Sequence, residues 1–172
     1  MTLIEVTVAM FILFVALGAT LGTISTFSAL EQSNRESTVA QIAARSALEQ
    51  LQATSFAQIF ATFNTDPNDD PAGVGTAPGP GFAVAGLDPQ DGDPDGLVGR
   101  IMLPFVPGAP TVLRENLVDP SFGLPRDLDG DGAVDGGDRA GDYLVLPVRI
   151  RIEWTGPSGN RSSEVQALIA SR

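Results

Sequence analysis

The chain has 172 residues, a mass of 17.9 kDa and a net charge of −11, which suits one compact domain plus an appendage. The absence of Cys excludes disulfides and thiolate metal sites, and the absence of His, with no nucleophile motif elsewhere, argues against an enzyme. All fourteen Asp follow residue 65, where seventeen acidic residues outnumber eight Arg; this part repels nucleic acid, which is not expected as a partner, and attracts divalent cations.

Met1-Thr2-Leu3-Ile4-Glu5 leads into a run without a charge from residue 6 to residue 30. Roughly 20 apolar residues cross a bilayer core as a helix, so the run is long enough to do so. No basic residue precedes it, unlike a secretory signal, and Arg35 is the first positive charge. Glu5 is the anomaly, because a carboxylate at the mouth of an apolar helix is costly unless paired. It either pairs with the amino terminus of another copy or sits at headgroup level, favoured by its own helix dipole. Gly18 and Gly22 have the G-x-x-x-G spacing that lets helices approach closely. Each Gly also weakens the helix by about 1 kcal/mol relative to Ala. With Thr20, Thr23, Ser25 and Thr26 nearby, the helix is expected to fray within residues 16–26 once assembled; the alternative is a continuous helix with small residues at a contact.

The MTLIE start followed at once by an apolar run resembles the mature N-terminus of the type IV pilin superfamily, which includes type IV pilins and type II secretion pseudopilins. The resemblance covers about the first third of the chain. It implies that a basic leader is removed just before Met1 and that the new terminus is methylated. It implies storage of the subunit in the inner membrane, then assembly by dedicated machinery into an extracellular homo-oligomeric filament with the helices as its core. Glu5 would there neutralise the amine of a neighbour's Met1, a match of carboxylate to ammonium and helix N-terminus. Such a buried pair fixes register more than it adds stability. One departure stands out: many family members have Pro at position 22, where this chain has Gly22.

Residues 1–27 are thus expected as the membrane or filament-core helix and residues 28–63 as its amphipathic continuation. Ala40, Ala43, Ala44, Ala47, Leu48 and Leu51 recur at helical spacing, as do Phe56, Ile59, Phe60 and Phe63. The stripe shifts sideways between Leu51 and Phe56. The upper part is expected to pack on the chain's own sheet and the Ala-rich part to serve neighbouring helices. Asn64, Asp66 and Pro67 end the helix.

Residues 64–172 are expected as an acidic, β-rich head. Residues 64–97, rich in Pro, Gly and Asp, read as loop. Asp91, Asp93 and Asp95 begin like a calcium loop, but Gly99 and Met102 fall at its later ligand positions, which favours a solvated acidic turn. Residues 98–105 and 110–118 read as short strands or edge segments. Residues 143–154 are the clearest strand: Leu144, Leu146, Val148, Ile150, Ile152 and Trp154 alternate with charged residues. Residues 155–160 form a turn, and 162–170 return with Val165, Ala167 and Ile169 in one phase. The fold class is α+β, a long N-terminal helix on a small antiparallel sheet.

Residues 127–138 read DLDGDGAVDGGD. Counted from Asp127, carboxylates fall at positions 1, 3, 5, 9 and 12 (Asp127, Asp129, Asp131, Asp135, Asp138), with Gly132 at 6 and Ala133 at 7 offering a backbone carbonyl. This is the spacing of a calcium loop, where a hard cation collects six to eight oxygens at ~2.3–2.6 Å. Position 12 is Asp, as in a dockerin repeat, and no amphipathic helix follows. The expected role is structural: in a head without disulfides, a bound Ca2+ staples a long loop. The leading functional reading is a pilus-like filament subunit. The alternatives are a minor pseudopilin of a type II secretion system and a singly membrane-anchored, calcium-dependent binding module.

Overall fold

The apolar run and its continuation form one helix, α1 (Leu3–Ala53), 51 residues and ~77 Å long at the usual rise. The computed structural model describes residues 2–171; Met1, expected to act with Glu5 in assembly, lies outside them. Thr2 caps α1, and its N–H donates to Oε2 of Glu5 at 2.9 Å, the reciprocal arm of a capping box. Every side chain from residue 3 to residue 28 is exposed. The helix is unbroken through Gly18 and Gly22, and a Cβ on either would meet nothing within 4 Å. The Thr20 and Thr26 hydroxyls donate back to the carbonyls of Ala16 and Gly22, at 2.8 and 2.9 Å, so the polar residues of this stretch turn inward on the helix.

Helical structure reaches Phe63 as expected, but in pieces. Thr54 and Ser55 are extended, a single 3-10 turn covers Phe56–Gln58, and α2 (Ile59–Phe63) follows. The sideways shift of the apolar stripe marks this break. Two weak helix formers sit at it, and the Tyr143 hydroxyl spans it by donating to the Phe56 carbonyl at 2.6 Å and accepting from the Phe60 N–H at 3.2 Å.

The sheet is antiparallel throughout, in the order β1 (Gly81–Phe82), β2 (Gly99–Met102), β3 (Val145–Gly156), β4 (Gly159–Ala170). β3 and β4 form a hairpin closed by Gly156 opposite Gly159 around Pro157 and Ser158, without a register break. Leu146, Val148, Ile150, Ile152 and Trp154 are buried as their alternation predicts, while Leu144 precedes the strand and is half exposed. Pro147 lies past the end of β2, which stops opposite Arg149, so β3 is an edge on that side there and no bulge is needed.

The Ala-rich stripe differs from expectation. Ala40, Ala44 and Ala47 are buried with Leu51 against the chain's own sheet, chiefly β3 and β4. Small side chains let the helix axis lie close over bulky strand residues, so the head grips α1 along its second half. Residues 110–118, read as a strand or edge, form turns instead. Two of their backbone bonds tie them to the acidic loop and its flank: Arg139 N–H donates to the Leu113 carbonyl at 2.7 Å and Asn116 N–H to the Asp135 carbonyl at 3.1 Å. Residues 64–97 are irregular as expected, apart from the two residues of β1 and a 3-10 turn at Pro67–Asp69.

Candidate metal centre

The loop at residues 127–138 folds around its own carboxylates. Asp127 accepts from Gly130 N–H at 2.6 Å and Gly132 N–H at 2.9 Å. Asp129 accepts from Asp131 N–H at 3.1 Å, Asp131 from Ala133 N–H at 2.7 Å, and Asp135 from Gly137 N–H at 2.7 Å. Each is a short-range turn in which an Asp side chain takes the place of a backbone acceptor. Gly130 and Gly132, at φ +79° and +84°, supply the left-handed residues these reversals need. Residues 139–144 lead from the loop to β3, and the Leu144 and Val145 N–H groups donate to the Leu128 carbonyl at 2.7 and 2.9 Å.

A residue outside the motif joins the cluster. Glu115 is fully buried beneath the loop. Its Oε1 accepts from the N–H groups of Leu128 and Asp129, at 2.8 and 3.2 Å, and its Oε2 from that of Asp135 at 3.2 Å. Burial would push this carboxyl up, but those three N–H groups and the nearby Arg139 outweigh it and hold it below the ordinary range. The N–H groups of Gly130 and Gly132 hold Asp127 low as well. The Asp131 N–H acts downward on Asp129, yet partial burial and the charges of Asp131 and Glu115 prevail and raise it.

Glu115, Asp127 and Asp129 each place a carboxylate oxygen within 4.8 Å of the other two, close enough for one metal ion to draw all three. The donor set is entirely oxygen, which suits a hard cation. Of the remaining expected ligands, Asp131 and Asp135 are about half exposed and face Arg139, at 3.8 and 3.0 Å from its Nη2. Ala133 is exposed. Asp138 is not a member of the trio, and its Oδ1 accepts from the N–H groups of Leu113 and Ala140, both at 3.1 Å. The structure therefore brings Asp127 and Asp129 together with Glu115, and uses Asp138 to tie the loop to residues 110–118. Glu115 and Arg139 escaped the sequence reading. The signal in the sequence is an acid in phase with Leu113 and Leu117, in a segment that reads as a strand.

The second acidic stretch is a self-contained turn. Asp95 accepts from Leu97 N–H at 3.0 Å and pairs with Arg100 at 2.5 Å, and Asp93 accepts from Asp95 N–H at 3.2 Å. The other site residues lie along α1: Glu5 at its first turn, Gly18 and Gly22 on its exposed stem. Comparison of the chain with protein-family models, with curated proteins and with solved structures finds no match.

Proposed function

We propose that this chain is a structural subunit of an extracellular, pilus-like filament, held in a membrane by residues 3–30 until it assembles through them, with a calcium-stapled head. One observation carries the reading. α1 is long and apolar enough to cross a membrane, and its most apolar window is wholly uncovered while the head grips the helix only further along. Exposed apolar area on that scale needs lipid or other copies of itself to cover it. Glu5 supplies register, offering its carboxylate to a neighbour's amino terminus. A minor pseudopilin of a secretion system would share this stem. For the metal, the oxygen-only trio of Glu115, Asp127 and Asp129, with Asp131 and Asp135 at the rim, favours Ca2+ over softer ions.

A second reading has its own observation. The Glu5 carboxylate already has partners in the same chain, the Thr2 N–H at 2.9 Å and the Thr2 hydroxyl at 3.4 Å. That is what a singly anchored, calcium-dependent module would need, with the acid capping its own helix at the headgroups. In the filament reading the same capping box stores Glu5 until a neighbour's ammonium replaces the Thr2 N–H.

Electron microscopy of material sheared from expressing cells separates the two. Wild type yields rods and Glu5→Gln yields few or none. Wild-type protein recovered only as detergent-soluble monomer supports the anchored module, and rods undiminished by Glu5→Gln overturn the role given to Glu5.

A further inference from the structure

The Arg139 guanidinium lies among the loop's acids. Its Nη1 is 3.1 Å from Asp129, its Nη2 3.0 Å from Asp135 and 3.8 Å from Asp131, and its Nε 3.8 Å from Glu115. Side-chain exposure is 16% for Arg139, between 48% and 52% for Asp131 and Asp135 at the rim and 13% and 0% for Asp129 and Glu115 beneath, so the guanidinium lies between outer and inner acids. Nε is buried without an acceptor among the described residues, and the directed hydrogen bond into the loop runs from Nη2 to Asp135 at 3.0 Å. Two of its partners, Asp129 and Glu115, are also members of the trio that can hold a metal ion. Nη1 also stands 3.5 Å from Asp142, which lies outside the loop and is mostly exposed.

We propose that Arg139 is a built-in competitor for the loop's cation. Guanidinium and metal draw on the same Asp129 and Glu115 carboxylates, and metal binding shifts Arg139 outward onto Asp142. The inference rests on reading the loop as a calcium site. Its physical basis is simple. A positive charge a few ångströms from a divalent ion opposes its binding, and near a protein surface that repulsion is worth at least about tenfold in affinity. The same charge neutralises the acids when cation is scarce, so the loop keeps its shape at low calcium. Asp142 gives the displaced guanidinium an anionic resting place reached by rotation of the side chain.

Calorimetric titration of the full chain in detergent micelles with calcium chloride tests this, with folding monitored by circular dichroism. Arg139→Gln should bind calcium about tenfold tighter than wild type and melt lower in chelator, while Arg139→Lys, which keeps the charge, stays near wild type. Asp142→Asn should bind calcium more weakly. Binding by Arg139→Gln alone also supports the proposal. Arg139→Gln affinity equal to or below that of a calcium-binding wild type overturns it and leaves the calcium reading intact. Should Arg139→Gln fail to fold, Asp142→Asn decides, and unchanged affinity there overturns the proposal. Calcium binding by neither wild type nor Arg139→Gln defeats the calcium reading, and the inference with it.

Discussion

The indole N–H of Trp154 donates to Oε2 of Glu36 at 3.1 Å, joining α1 to the far end of β3 across 118 residues of sequence. Gln32 Nε2 satisfies the other oxygen at 2.9 Å, so this nearly buried carboxylate has a donor on each side. Next to it, Arg161 hydrogen-bonds Ser33. Gly156 allows the approach, because a Cβ there would come within 2.8 Å of the same Oε2. This polar clamp and the Ala40-Ala44-Ala47-Leu51 stripe fix where the head sits on the helix, and so how much stem stays free.

Loss of the clamp should therefore loosen the head. Trp154→Phe keeps most of the apolar volume but leaves Glu36 with a single donor. A buried acceptor stripped of its partner costs about 1–3 kcal/mol. Glu36→Gln, which retains a carbonyl acceptor, should cost less. Denaturant unfolding of the full chain in micelles, followed by circular dichroism, measures both, and equal stability of Trp154→Phe and wild type would show the clamp to be idle.

Tyr143→Phe should unpin the joint between α1 and α2. The hydroxyl serves the Phe56 carbonyl and the Phe60 N–H at once, so its removal should cost about 1–2 kcal/mol and speed amide exchange at Phe60. Burial raises the Tyr143 pKa, so the unfolded chain, with its tyrosine near 10, gives up the proton first. Stability from this group is therefore complete below about pH 10 and is lost as pH rises toward the folded-state value. Alkaline melting curves should show the loss in wild type and not in Tyr143→Phe.

The hairpin of β3 and β4 was readable because its period of two is uninterrupted and its turn carries Gly and Pro. The long helix was readable from its length without charge. The break at Thr54 was visible only as a sideways drift, since the group that holds it, Tyr143, lies more than eighty residues later. The Ala stripe reads as a surface for neighbouring helices because small residues permit close approach to a helix or to a sheet, and spacing alone does not say which. Glu115 was hidden for a different reason. A metal motif is recognised by spacing within one loop, whereas this acid comes from another segment and is defined by burial and by three N–H groups contributed from residues 128–135.

Glu115→Gln should accordingly damage the loop even in chelator. The substitution leaves three backbone donors around a weaker acceptor and should cost about 1–3 kcal/mol. Wild type should also loosen in acid. The folded-state pKa of Glu115 lies below its ordinary value, so the stability it contributes is present above about pH 4.3 and is lost as pH falls through the folded-state value. Thermal melts in chelator at neutral and acid pH should show a steeper acid loss in wild type than in Glu115→Gln. Parallel curves would remove Glu115 from the account.

Replacement of Gly18 and Gly22 by Ala tests the stem itself. Both sites are helical and open, with nothing within 4 Å of an added Cβ, so Ala fits the single chain and should strengthen the helix by about 1 kcal/mol per site. Slower amide exchange across residues 16–26 in micelles should follow. Within a filament the effect reverses if the segment has to fray or pack closely there: the double variant should express and fold but yield fewer rods. Rods as abundant and as ordered as those of wild type would mean that the stem assembles as a straight helix and that the two glycines serve neither melting nor close approach.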